Sequence, residues 1–296
     1  MSFQSLEEIR IRCGEEECGF WKAVQLEDCR ERDVSEEASW KEMTRMWEAM
    51  KDSIGDYDAK RTSRSGLIGE EGGLMEEYQQ SGKPLCGDFM GKVIAAALKM
   101  GCNNACMRRI VAAPTAGACG VLPAVLVTYY MEHEIEEDKM IQAMYVAAGV
   151  GQVIACRAFL AGASGGCQAE IGSASAMAAS AICFVAGGTV LQMEHASAMA
   201  LKNLLGLVCD PVGGLVEVPC VKRNVIGAVN AMAAADMALA GIESRVPADQ
   251  VFDAMREVGM KMDVSLRETG LGGVAASEKG KEIAAGLFAS GKRDRK

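Results

Sequence analysis

Apolar residues recur along most of this chain at the three- and four-residue spacing of helices. Trp40, Met43, Trp47 and Met50 mark one such face within a segment, 1–60, that is otherwise densely charged. The pattern predicts that this segment forms helices docking on a body built from 61–296. Asp33 followed by Glu36 predicts a capping box at the start of the Trp40 helix. Further helices are expected over 89–112, 122–130, 139–159, 221–240 and 247–262, and a short one within a glycine-rich, charged tail from 270 to 296. The stretch 171–186 differs from these: Ala, Gly and Ser cover all its sides, as in a helix buried among others. No strand is convincing, since the Val-Glu-Val before Pro219 is too short to build a sheet. No repeat with a period of about 20–50 residues is present. The expected fold is therefore all-α, a helical domain packed around a central buried helix rich in small residues, with active-site loops at helix ends.

Three loop regions interrupt these helices. In 61–92, the run RTSRSGLIGEEGG is rich in glycine and serine. Ser63, Ser65 and Gly66 there form either a substrate loop, with backbone amides approaching a small anion, or an ordinary connector. In the second loop the dipeptide Ala113-Pro114 breaks a helix. The residues Pro114, Thr115, Ala116, Gly117, Ala118, Cys119 and Gly120 then gather hydroxyl and backbone donors before the next helix start, a geometry that suits an anion. Alone that motif is weak, because glycine-rich junctions are common. The third region, 165–224, reads GGCQAEIGSASAMAASAICFVAGG, then a connecting helix, then LVCDPVGGLVEVPCVKRN.

Composition narrows the function classes. The 296 residues are 50% hydrophobic but only 5% aromatic, so the core is expected to be built from Ala, Met, Val, Leu and Ile. With 31 basic and 40 acidic residues the formal net charge is −9, which argues against a nucleic-acid or anionic-membrane surface. The group Lys99, Arg108 and Arg109 is too small to reverse that. Gln142, Gln152, Arg157, Gln168 and Glu170 interrupt the most apolar stretches, and none reaches the roughly 18 apolar residues of a membrane helix. No signal peptide is visible at the start. Twelve cysteines in such a chain point to a reducing cytoplasm, with thiols serving as core residues, metal ligands or reactive groups.

Three of those cysteines stand at bends: Cys167 after Gly-Gly, Cys209 before Asp-Pro, and Cys220 after a proline. A turn lets a side chain point at a common centre, so the trio suggests a metal or cluster site with a vacant position. Cys167 also opens a helix, where the dipole favours a thiolate. The alternative is that all three are small buried hydrophobes, the usual state of a free cysteine. Cys102 and Cys106 share a helical face that nothing nearby completes. Cys13, Cys18 and Cys29 lie in the charged N-terminal segment, Cys156 and Cys183 are expected in the core, Cys86 is expected to be structural, and Cys119 is placed to line a pocket. The CxxC pairs of structural zinc and the runs of ferredoxins are absent. His195 is a candidate acid or base or a surface residue, and His133 is expected in solvent. No nucleophile elbow, phosphate-binding loop or dinucleotide fingerprint is present.

The motifs APTAGACGVLPAV, GGCQAEIGSASAMAA, LKNLLGLVCDPVGGLVEVPCVKRN, NAMAAADMALAGI and LRETGLGGVAA together resemble the α subunit of bacterial iron–sulfur L-serine dehydratases. The likeness runs from about residue 60 over nearly all the remaining chain, and the charged N-terminal helices fit more loosely. It implies an all-helical lyase that turns L-serine into pyruvate and ammonia using a [4Fe–4S] cluster. The cluster ligands would be Cys167, Cys209 and Cys220, with one iron left for the substrate's β-hydroxyl. Pro114–Gly120, with Thr115 and the amides near Gly117, and the Ser63–Ser65–Gly66 loop would contact substrate, and Arg223 and Asn224 would support the cluster. Some relatives cap the open iron with a C-terminal cysteine; here the last cysteine is Cys220, so a solvent ligand or a partner is expected there. The catalytic base is unassigned and is expected from a β subunit, making this chain one half of a two-chain cytoplasmic enzyme. A related open-cluster lyase, such as a cysteine desulfidase, and a cluster-free structural or regulatory subunit are the competing readings.

Overall fold

The computed structural model describes residues 3–290. Among the described residues thirteen α-helices follow one another: α1 (Leu6–Glu15), α2 (Phe20–Arg32), α3 (Glu36–Gly55), α4 (Glu71–Gln80), α5 (Asp88–Ala105), α6 (Val121–Glu132), α7 (Glu137–Arg157), α8 (Gly162–Gly165), α9 (Ser173–Val185), α10 (Val190–Lys202), α11 (Cys220–Leu239), α12 (Ala248–Lys261) and α13 (Glu278–Ser290). Among the described residues there is no strand, only an isolated parallel bridge between Cys209 and Arg267. The fold is all-α.

All thirteen residues of α9 are buried, and α6, α7, α10 and α11 pack around it. Its sequence explains this. A helix of Ala and Ser presents no wide polar stripe to water and no bulk to hold neighbours away. Two of its serines are satisfied inside the protein: Ser175 Oγ donates to the Gly227 carbonyl at 2.8 Å and Ser180 Oγ to that of Met193 at 2.8 Å. The approach is close. A Cβ added to Gly227 of α11 would stand 2.8 Å from Val121 Cγ2 and 3.0 Å from Ile171 Cγ2.

The charged N-terminal helices reach the body through buried aromatic and carboxylate anchors. Trp47 is fully buried, donates its indole N–H to Glu137 Oε1 at 3.0 Å, and meets Tyr130 edge-on. Ser39 Oγ and Tyr145 OH are 2.6 Å apart. Asp249 of α12 accepts the Leu6 and Glu7 amides at 2.9 and 3.4 Å, so it caps α1 from another helix. Phe3, Leu6, Phe20 and Trp47 belong to the same cluster of buried residues as α9. Helix α7 has the length and hydropathy to cross a membrane, but 67% of its 18-residue apolar window is buried inside the protein.

Several sequence expectations shift. The capping box is not at Asp33: that residue adopts φ 52° and ends α2, while Ser35 caps α3 by accepting the Ala38 amide at 3.2 Å. A capping box does form at Thr189 and Gln192, at the start of α10. Helix α5 stops at Ala105, not near 112, because Met107 turns left-handed at φ 57° and the Arg108 amide closes back on Asn103. Cys156 and Cys86, expected in the core and in a structural role, are exposed.

Glu194 of α10 shows how the N-terminal attachment depends on pH. Burial, with Asp249 and Glu7 nearby, raises its carboxyl to about 7 despite the Arg10 guanidinium at 3.2 Å. A carboxyl raised in the folded state binds its proton more tightly than in the unfolded chain. Stability from this group is therefore present at low pH and is lost as pH rises from about 4.5 to about 7. Replacing Glu194→Gln is expected to flatten that part of the profile and to stabilise the protein at pH 8 by roughly 1 kcal/mol after solvent screening. Urea unfolding of both proteins at pH 5 and pH 8 measures this.

Candidate active site

Cys167 lies between two structures that aim it. Gly166, at φ 79°, ends the short α8, and a π-helical turn, Gln168–Gly172, follows Cys167 and leads into α9. Gln168 is fully buried and fully engaged. Its amide donates to the Gly165 and Met255 carbonyls at 2.8 and 3.2 Å, its Oε1 accepts the Gly206 amide at 2.8 Å, and its backbone N–H donates to Leu207 at 2.9 Å. One side chain thus ties the Cys167 turn to α12 and to the segment entering Cys209. Cys209 is held by its main chain: its N–H donates to the Leu266 carbonyl at 2.8 Å, and its carbonyl accepts the Glu268 amide at 2.6 Å. Cys220 is the first residue of α11, after Pro219.

The polar residues around the cysteines interlock. Arg223, one turn along α11, donates to the Val208 carbonyl at 2.6 Å and to Asp210 Oδ1 at 2.7 Å, and its positive charge acts on Cys167. Asp210 Oδ2 accepts the Val274 amide at 2.6 Å, which draws the glycine-rich segment 270–276 against the Cys209 loop. Asn224 receives the Gly120 amide at 2.8 Å and donates to the Gly117 and Cys220 carbonyls at 2.9 and 3.1 Å. The Pro114–Gly120 loop is therefore fastened to the start of α11. Within it, Ala116–Ala118 forms a 3-10 turn, and the Ala116 and Gly117 amides have no internal acceptor among the described residues.

Electrostatic influence links the three thiols. Burial raises Cys167 to about 11, against the opposing effect of Arg223, and raises Cys220 to about 12, with Cys167 adding to the rise. Cys209 is raised further still by burial, then by Cys167, Glu170, Glu268 and Cys220. The helix start does not make Cys167 a free thiolate, because desolvation outweighs the dipole. Arg223 stays strongly basic: burial opposes its charge, but Cys167 and Asp210 sustain it. Metal bonding removes the proton from a thiol, so a thiol-seeking, positively charged group fits this donor set. No three His, Cys, Asp or Glu side chains among the described residues group tightly enough for a single metal ion.

The other expected site residues fall into two sets. Thr115 reaches the centre, where its hydroxyl donates to Glu170 Oε1 at 2.8 Å. Pro114, Ala116 and Gly117 are at least partly accessible, whereas Ala118, Cys119 and Gly120 are buried. Cys119 turns to the Met100 carbonyl, at 3.7 Å, and is fully buried. Ser63 and Ser65 both donate to the buried Glu217, three residues before Cys220, so their hydroxyls brace the neighbouring turn. Gly66 turns that loop at φ 79°. His195 lines a separate cavity of about 370 Å³ with Arg10, Glu194 and Asp249, and His133 is exposed against Tyr129.

Sequence reasoning missed Gln168, Glu170, Asp210, Glu217 and Glu268. Gln168 and Glu170 carried a signal, as polar residues within an otherwise apolar run. Two buried side-chain atoms have no hydrogen-bond partner among the described residues, Ser173 Oγ at the head of α9 and Arg267 Nε opposite Cys209.

Comparison with known proteins gives the chain a family. The family model for the serine dehydratase alpha chain matches residues 15–275. The chain is 50% identical to the "Probable L-serine dehydratase, alpha chain" of Bacillus subtilis, over 77% of its own length and 76% of the relative's. It is 51% identical to the "L-serine dehydratase, alpha chain" of Peptoniphilus asaccharolyticus, over 70% and 71% of the two chains. "L-serine dehydratase 2" of Escherichia coli is 42% identical over 60% of this chain, which accounts for only 40% of that longer protein. The match covers the three cysteine turns, the Pro114–Gly120 loop and the glycine-rich segment after Arg267, and the chain belongs to the serine dehydratase alpha chain family.

Proposed function

We propose that this chain is the cluster-bearing half of an L-serine dehydratase that converts L-serine to pyruvate and ammonia. The observation that carries this reading is the junction itself: three desolvated, mutually interacting thiols from separate turns beside the open amides of Ala116 and Gly117. Relatives at about half identity carry the same activity in their names.

Three desolvated thiols that influence one another from separate turns would suit a [4Fe–4S] cluster, for which cysteine thiolates are the usual ligands. When bound, that cluster supplies a Lewis acid for the departing β-hydroxyl. The residues of this chain do the rest of the positioning. Cys167, Cys209 and Cys220 would hold the cluster. The amides of Ala116 and Gly117 orient the substrate carboxylate, as donors at a turn do for anions, while Thr115 holds Glu170 beside them. Arg223, fixed by Asp210 and Val208, balances thiolate charge from one side. Loss of the α-proton and the β-hydroxide leaves 2-aminoacrylate and water, and hydrolysis of that enamine gives pyruvate and ammonia. The base for the α-proton comes from a β chain. In support, the similar relatives are named alpha chains, and the longer relative has more than half its length outside the match.

Anaerobic reconstitution with iron and sulfide, then pyruvate assays with and without the β chain, tests this. The expected result is absorbance near ~400 nm and turnover only with both chains. Protein that takes up no iron overturns the cluster reading, and full turnover by the single chain overturns the partnership. Cys167→Ala, Cys209→Ala and Cys220→Ala are each expected to hold roughly half or less of the normal iron, whereas Cys86→Ala and Cys156→Ala keep it. Asp210→Ala leaves Arg223 buried without its counter-charge, and should cost about 3–5 kcal/mol of stability. Denaturant unfolding and iron content read both consequences.

A further inference from the structure

Glu170 is a carboxylate with one partner in a place built for more. It stands on the π-helical turn three residues after Cys167, half-buried where the cysteine turns and the Pro114–Gly120 loop meet. Thr115 Oγ1 holds its Oε1 at 2.8 Å. Its Oε2 accepts no hydrogen bond among the described residues. A Cβ added at Gly162 would lie 2.8 Å from that oxygen and 2.7 Å from Cys209 Sγ, and one at Gly117 would lie 3.1 Å from Oε1. Two glycines thus keep open the space that the carboxylate shares with Cys209 and with the unpaired Gly117 amide. The nearby cation is already engaged, since Arg223 is bound to Asp210 and Val208. Glu268 adds a second negative charge to the same region.

An amino acid entering this space brings three polar groups. On the reading above, its carboxylate meets the loop amides and its hydroxyl the cluster, leaving the α-ammonium to be desolvated. A buried ammonium without a counter-charge is costly, and so is a buried carboxylate without a donor. Each offsets the other's penalty when they pair. We propose that Glu170 is the seat of the substrate's α-ammonium, with Thr115 fixing one carboxylate oxygen so that the other faces the ligand. Glu170 is thereby a specificity-determining residue that selects amino acids over hydroxy acids of the same skeleton.

This inference rests on the L-serine dehydratase reading, so turnover of L-serine by the cluster-loaded two-chain enzyme is established first, and its absence would sink that reading instead. Competition is then measured by calorimetry with L-alanine and with propanoate, which differ only in the ammonium. The unaltered enzyme is expected to bind L-alanine at least about 10-fold more tightly, a preference of the size expected for one charge-assisted hydrogen bond. In Glu170→Gln that preference should fall to about 2-fold or less. The KM for L-serine should rise about 10-fold with a smaller change in kcat, because the ammonium persists through the transition state. Glu170→Asp should recover part of the discrimination. Equal binding of L-alanine and propanoate by the unaltered enzyme overturns the proposal without any variant. So does an equal loss of both ligands in Glu170→Gln at normal iron content, or a fall in kcat with KM unchanged.

Discussion

Methyl and hydroxymethyl side chains over most of Ser173–Val185 let four helices close on α9 at backbone range. That closeness is the condition for the rest. Ser175 of α9 bonds the Gly227 carbonyl of α11, and Ile171 packs against the same glycine, so the π-helical step that carries Glu170 is held in place with the first turn of α9. Cys167 stands immediately ahead of that step, and Cys220 stands at the head of α11, which packs directly on α9. A core of small residues is thus what brings two of the three cysteine turns to one place.

The third turn is reached differently. Cys209 lies outside any helix and is registered by main-chain bonds to Leu266 and Glu268 and by the Arg223–Asp210 pair beside it. The centre is electrostatically one-sided. Glu170 and Glu268 add to burial in opposing ionisation of Cys209, while the Arg223 guanidinium, itself paired with Asp210, favours the thiolates of Cys167 and Cys220. Such a site gains most from occupants that bring positive charge, which suits both thiol-seeking metal and an ammonium-bearing ligand.

Much of this was legible in the residue order, for identifiable reasons. The buried helix announced itself because Ala and Ser on every side leave nothing for water. The three cysteine bends were marked by Gly and Pro, whose backbone preferences are local. What stayed hidden depends on tertiary context. Ser35 rather than Asp33 caps α3 because the preceding helix uses Asp33 to end. The serines at 63 and 65 look like ligand donors until Glu217, 154 and 152 positions away, claims them. Cys119 sits inside the right motif but on its inner face, against Met100. Cys156 follows an apolar run on α7, yet the last turn of that helix emerges into solvent.

The pairing of Cys209 with residues 266–268 uses backbone atoms alone. Its hydrogen bonds therefore do not depend on the side chain at Leu266, although Glu268 sits at φ 62°, where a β-branched residue would be strained. Leu266 is half-exposed, so mutation can repaint that position while the sulfur it registers keeps its station. A lineage or an engineer seeking a different diet for this scaffold has a natural palette there, at the lip of the chamber rather than in its floor.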